Sequence, residues 1–164
     1  TSYLSHFAGE VGVPLHIVTT HFDDTVNPRK PACFLCSWHR RKQIFNLAQD
    51  LGCNKIALGH HMDDILHTAL MNQFFQGHFS TMPARLKMKK MPLTIIRPLC
   101  LEIEADIQRY AELKGYEKQL KLCPYEKASH RADMKRIFEQ VEQMNPEARY
   151  SMWNALETDG KLTE

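Results

Sequence analysis

The stretch "KIALGHHMDDILHT", residues 55–68, changes character part-way along. Lys55 to Leu58 is a short run of buried type and predicts a strand. Gly59 interrupts it. A helix is then expected from about Asp63, because Ile65, Leu66, Ala69, Leu70 and Phe74 recur at steps of three and four. Strand, glycine turn and helix form the building unit of an α/β sheet. In such sheets ligands sit beyond the carboxyl ends of the strands, where this turn falls.

Gly59, His60, His61, Asp63 and Asp64 crowd onto that turn. A glycine lets a ligand approach the backbone closely. Carboxylates at a helix N-terminus interact favourably with the dipole and the free N–H groups. The same pair could hold Mg²⁺ beside a nucleotide phosphate. The plainer reading is that Asp63 caps the helix and the histidines lie on the surface. Spacing alone does not choose between them.

Outward from the turn, Tyr3, Leu4, Phe7, Ala8 and Val11 are spaced as one face of a helix that Gly12 stops. "VPLHIVTT" (13–20) is β-branched and predicts a strand from about Leu15 to Thr19. A polar loop follows over 21–32, then a helix from Cys36 to Leu51, stopped by Gly52. Beyond the central helix, a hairpin-like pair is expected at 84–88 and 93–96. Helices are then expected within 102–115, 125–144 and 146–157, the last with Pro146 in its first turn. This order argues for an α/β domain with a mainly parallel sheet and a helical tail. The final "TDGKLTE" reads as frayed.

The 164 residues, 43 % of them hydrophobic, suffice for one ordinary core. A net charge of +2, from 21 Lys+Arg against 19 Asp+Glu, does not by itself point to nucleic acid. There is no apolar run of transmembrane length and no signal-peptide pattern at Thr1–His6. No membrane partner and a cytoplasmic location are therefore expected. Five cysteines, an odd count, favour reduced thiols or metal ligands over a disulfide scaffold. The chain begins without Met, inside a helical pattern, so a preceding segment is expected.

Cys33 and Cys36 form a CxxC pair, and Cys123 stands far downstream. Structural zinc favours two such pairs, and the chain has one. A redox pair would follow a strand, and here a loop precedes Cys33. Three thiolates with an open position would suit a [4Fe-4S] cluster. Spacing leaves these options open. Cys53 and Cys100 are each readable as plain buried residues.

Basic residues cluster in three places. Arg40, Arg41 and Lys42 open the CxxC helix, and Lys87, Lys89 and Lys90 lie in the hairpin. Lys127, Arg131, Lys135 and Arg136 share one face of a long helix. Trp38 and Tyr125 lie nearby and could stack on unpaired bases. Each cluster alone reads as a solvated face; three around the thiols favour a nucleic acid partner. Arg97, just after a strand, sits at the ligand-bearing edge and could hold a phosphate bidentately.

Taken together, "CFLCSWHRR" (33–41), "KIALGHHMDDILHT" (55–68), "FFQGHFSTMPARL" (74–86), "IIRPL" (95–99) and "LCPYEKASHR" (122–131) resemble the tRNA 2-thiocytidine synthetase family. That family is a branch of the PP-loop ATP pyrophosphatases. The resemblance implies a partial PP-loop α/β domain over residues 1–120, lacking its N-terminal strands, and a helical segment over 121–164. It implies ATP and Mg²⁺, used to adenylate the C2 oxygen of cytidine 32 in the tRNA anticodon loop before sulfur replaces it. It implies a [4Fe-4S] cluster on Cys33, Cys36 and Cys123, with Cys33, Cys36, Asp63, Asp64 and Arg97 in the catalytic site. Gly59, His60 and His61 would lie at the nucleotide. Arg40, Arg41, Lys127, Arg131 and Lys135 would hold tRNA. A sulfur donor such as a cysteine desulfurase, and a homodimer, belong to the same expectation.

Two departures stand out. The family's Ser-Gly-Gly-x-Asp-Ser phosphate loop is absent, so this stretch alone is not expected to bind ATP normally. Only Cys123 stands where many relatives carry a second CxxC. The rival readings are a uridine-thiolating or lysidine-forming PP-loop enzyme, a zinc-bound RNA-binding module without catalysis, and a cysteine persulfide carrier that works without iron.

Overall fold

The computed structural model describes residues 2–20, 32–118 and 130–163. Cys123, Tyr125, Lys127, all but the last residue of the loop expected over 21–32 and the first residues of the long helix expected from 125 lie outside them. Six α-helices, three strands and one π-helical turn are described. The helices are α1 (Ser2–Glu10), α2 (Ala32–Asp50), α3 (Met62–Met71), α4 (Glu104–Leu113), α5 (Arg131–Met144) and α6 (Ala148–Thr158). The strands are β1 (Lys55–Ala57), β2 (Arg85–Lys87) and β3 (Thr94–Ile96).

The sheet is mixed, in the order β1-β3-β2. β1 and β3 run parallel, Ile56 opposite Ile95, and β2 returns antiparallel beside β3, Leu86 opposite Ile95. The parallel pairing and the hairpin both match the sequence reading. The strand expected at Leu15–Thr19 does not form: no ladder includes these residues, and Val13, Leu15, Ile17 and Val18 stay exposed. β-branched residues favour an extended backbone, but a strand also needs a neighbour to bond with. Among the described residues no strand pairs with 15–19; the stretch lies instead beside α2, where His16 and Val18 share a cleft with Gln43, Ile44 and Leu47.

α2 ends as its sequence demands. Gly52 takes φ +68°, its N–H donates to Gln49 O (2.9 Å), and Cys53 N–H donates to Ala48 O (2.8 Å). That is a Schellman closure, for which a residue without Cβ is preferred. It turns the chain directly into β1. Ala48 of α2, Ile56 of β1 and Leu93 then bury one another.

The main core lies on the other side of the turn. Met62, Ile65, Leu66 and Ala69 of α3 pack with Phe138 of α5, Leu156 of α6 and Leu162. The helices of the 121–164 segment thus share a core with α3. The last residues are tied in as well: Ala84 N–H donates to Leu162 O (2.7 Å), and Thr163 bridges to Arg85. "TDGKLTE" is therefore not frayed up to Thr163. The π-turn Asn72–Gln76, where the side-chain period predicts α-helix running into loop, extends α3 and ends at Gly77 with φ +69°. Phe74 and Phe75 project from it into solvent, and Phe75 stacks on His130 at 4.6 Å.

Candidate functional site

β1 and β3 end side by side, and their carboxyl ends carry the turn at 59–64 and Arg97 respectively. Leu58 N–H donates to Ile96 O (2.9 Å), so the parallel ladder runs up to the turn itself. Gly59 does not need a left-handed backbone, and a Cβ built there meets no atom within 4 Å. Protein packing therefore does not demand the glycine; open space lies over it.

Arg97 is buried, and its Nε donates to His60 Nδ1 at 3.3 Å. Its terminal nitrogen also donates to Pro83 O. Burial, and then the Arg97 guanidinium, hold His60 below the usual imidazole value. A neutral ring that accepts at Nδ1 carries its proton on Nε2. Cys100, half-buried nearby, packs against the main core, and burial pushes its thiol up. That fits the plain reading of this cysteine.

Asp63 and Asp64 differ in their surroundings. Asp63 Oδ1 accepts from Arg149 Nη1 (2.6 Å) and Oδ2 from Glu104 N–H (2.7 Å). Burial pushes this carboxyl up, but the Glu104 N–H and the Arg149 guanidinium outweigh it and hold Asp63 below the usual carboxylate range. Asp63 therefore caps α4 from a distance rather than its own helix. Asp64 accepts from His61 N–H (3.2 Å), a back-bond of capping-box type, and meets Arg131 at 3.4 Å. His61 lies between the pair, its Nε2 3.3 Å from Asp64 and its Nδ1 3.5 Å from Asp63. Nδ1 is buried without a hydrogen-bond partner.

Sequence reasoning missed Arg149, which lies 86 positions from Asp63 and meets it only through the tertiary fold. It also missed His67. That ring is buried edge-on to Phe138 (5.8 Å) beside a polar cleft that Asp63, Glu104 and Arg149 also line.

The basic helix face is engaged in ion pairs while its side chains stay largely exposed. Lys135 Nζ pairs with Glu104 (2.8 Å), Arg131 with Asp64, and Arg136 with Asp133 (3.2 Å). The first two tie α5 to the starts of α4 and α3; the third lies within α5. On α2, Arg40 and Arg41 are exposed and Lys42 lies over the exposed Trp38 ring at 5.5 Å. In the hairpin, Lys87 lines an open cleft with Lys55 and Arg85.

Cys33 is exposed and Cys36 half-buried, three positions apart on α2, so both thiols sit on one face of its first turns. Two adjacent thiols near the surface fit thiolate ligation of iron or zinc. Among the described residues no three His, Cys, Asp or Glu side chains converge as a metal-holding group. The two thiols need a third ligand from outside them.

No family model matches the chain. A tRNA-cytidine(32) 2-sulfurtransferase of Pelobacter propionicus is 35% identical over 156 residues, which are 92% of this chain and 58% of that protein. One of Geobacter metallireducens is 37% identical over 153 residues, 90% of this chain and 60% of that protein. One of Burkholderia lata is 36% identical over 158 residues, 93% of this chain and 48% of that protein. Among solved structures, the U34-tRNA thiolase NcsA from Methanococcus maripaludis, with its [4Fe-4S] cluster, superposes with a TM-score of 0.78. It is 24% identical, over 96% of this chain and 54% of that one.

The chain therefore shares the fold of that thiolase over nearly all its length, with the turn at 59–64 at the carboxyl ends of the parallel strands. The chain is a homologue of the tRNA-cytidine(32) 2-sulfurtransferases along at least 90% of its length. It spans about half to three-fifths of the length of those curated relatives.

Proposed function

We propose that the protein to which this chain belongs thiolates cytidine 32 of the tRNA anticodon loop. ATP activates the C2 oxygen by adenylation, and sulfur replaces it. The observation that carries this reading is the homology to cytidine-32 sulfurtransferases over the stretch that holds the CxxC pair and the turn at 59–64.

The residues support parts of the chemistry. The space over Gly59 leaves room for a nucleotide beside the backbone. The phosphate-gripping loop and its strands would come from a further segment. The exposed apolar residues at 13–18 and the side of β1 that has no partner among the described residues offer that segment a surface. Arg97, charged and held by Pro83 and His60, stabilises negative charge as pyrophosphate departs. Asp63 is held at 2.6 and 2.7 Å by Arg149 and Glu104 N–H, whereas Asp64 has only longer contacts, to His61 N–H (3.2 Å) and the exposed Arg131 (3.4 Å), so the Mg²⁺ role falls to Asp64. Cys33, Cys36 and Cys123 would hold a [4Fe-4S] cluster; bound there, it supplies an iron site for the incoming sulfur. Arg40 and Arg41, with Lys127, Arg131 and Lys135, hold the anticodon stem, and an unstacked base enters the site. A cysteine desulfurase as sulfur source, a homodimer and a cytoplasmic setting complete the proposal. No helix among the described residues is long and apolar enough to cross a membrane.

Anaerobic reconstitution with iron and sulfide tests the cofactor, with absorbance and iron, sulfide and zinc analysis. About four irons per chain, lost in Cys33→Ala, Cys36→Ala and Cys123→Ala, is the expected result. Stoichiometric zinc without iron would move the reading to a zinc-bound module. Mass spectrometry of tRNA nucleosides tests the base. A second reading, thiolation of uridine 34, is favoured by the fold neighbour; 2-thiouridine in place of 2-thiocytidine would select it.

A further inference from the structure

Among the described ion-paired cations of α5 and α6, Arg149 is the least exposed, its side chain only 13% open to solvent. It is held on both sides. Nε and Nη2 donate to the two carboxylate oxygens of Glu142 (2.9 and 3.1 Å), a fork that fixes the guanidinium plane. The plane lies over the Phe138 ring at 5.5 Å. The remaining Nη1 reaches Asp63 Oδ1 at 2.6 Å. Asp63 then has its other oxygen on Glu104 N–H and faces His61 Nδ1 at 3.5 Å. One fixed guanidinium thus determines where the Asp63 carboxylate lies, and that carboxylate borders both the start of α4 and the buried face of His61.

We propose that Arg149 is a positioning residue for the turn at 59–64: by clamping Asp63 it sets the orientation of His61 and Asp64 relative to Arg97. It touches no reacting atom. Because it stands on α6, it makes the geometry of the site depend on the docking of the last helix pair. A lysine could supply the charge but not the fork, so Arg149→Lys should hold Asp63 while losing one arm to Glu142. This inference rests on the thiolation reading for its catalytic half only.

The test has two arms. In the 164-residue chain, amide hydrogen exchange compares Glu104 N–H, which depends on Asp63, with Leu58 N–H, which depends on the sheet. In Arg149→Met, Glu104 exchange should rise about tenfold with Leu58 unchanged, and Arg149→Lys should recover part of the protection. In the complete protein, kcat for ATP-dependent tRNA thiolation should fall about tenfold in Arg149→Met with KM for tRNA held within about twofold, and Arg149→Lys should recover part of it. Unchanged Glu104 exchange would overturn the clamp. Faster exchange with an unchanged kcat, or a loss of Leu58 protection in step with kcat, would reduce Arg149 to a structural tie and overturn the proposal. Should the wild-type protein thiolate no tRNA, the functional reading fails by itself, and the exchange arm still decides whether Arg149 places Asp63.

Discussion

Arg97 Nε and His60 Nδ1 meet at 3.3 Å, and this contact joins the end of β3 to the turn after β1. Arg97 is buried and its second partner is the Pro83 carbonyl, so removing the guanidinium leaves two acceptors unpaired. Arg97→Met should cost about 1–3 kcal/mol of stability, as a lost buried donor does. It should abolish thiolation by the complete protein. Urea unfolding and a nucleoside assay check the two effects separately.

Stability should fall on mild acidification. His60 and His67 are both held below the ordinary 6.5, by burial first in each case. The native state then binds fewer protons than the unfolded chain in the window between the lowered values and 6.5. Their contribution is complete above the ordinary value and lost as pH drops below it. Asp63, lowered from 3.8, adds a second loss at more acid pH. Urea midpoints measured from about pH 7.5 to pH 5 should decline below about 6.5, and less steeply in His67→Gln.

Leu156 of α6 is fully buried against α3. Leu156→Ala should cost about 2–5 kcal/mol through lost transfer energy and the cavity left behind. Because α5 and α6 share the core of α3, fluorescence of Trp153 and circular dichroism should report one coincident transition that shifts as a whole. Two separated transitions would show that the last helices unfold by themselves.

The thiols should be separable from the fold. Cys33 is exposed and Cys36 half-buried at the start of α2. Alanine at either should change stability by less than about 1 kcal/mol, as surface substitutions do. The iron-dependent absorbance should nevertheless disappear. Thermal melts of the metal-free variants, set beside their reconstituted spectra, check both.

Arg40 and Arg41 stand outward on α2, whereas Lys135 is paired with Glu104. Replacing Arg40 or Arg41 by Gln should weaken tRNA binding and reduce the salt slope of log K by about one each. Lys135→Gln should give a smaller change, because forming the RNA contact requires breaking an existing pair. Filter binding across a salt series measures all three.

How far the sequence could be read depended on whether its signals were local. Strand, glycine and helix at 55–71 follow from side-chain period and one backbone break, and they formed within a residue or so of the expected bounds. The hairpin at 85–96 was equally visible. The run at 13–20 carried the propensity for a strand but not its neighbour, and propensity without a partner makes no ladder. The π-turn at 72–76 leaves no trace in composition, since "NQFFQ" serves an α-helix as well. At the site, His60, His61, Asp63, Asp64 and Arg97 were all singled out and do converge. Which carboxylate is held more tightly depends on Arg149 and Glu104, which no spacing rule connects to Asp63.

The strand pairing of Thr163 with Arg85 has a consequence for association. One flank of the sheet is met at Arg85 by Thr163, and among the described residues the other flank, along β1, has no such contact. Among the described residues the wholly open edge of the sheet is Lys55–Ala57, and an added strand, from the same polypeptide or another, finds its unpaired backbone groups there.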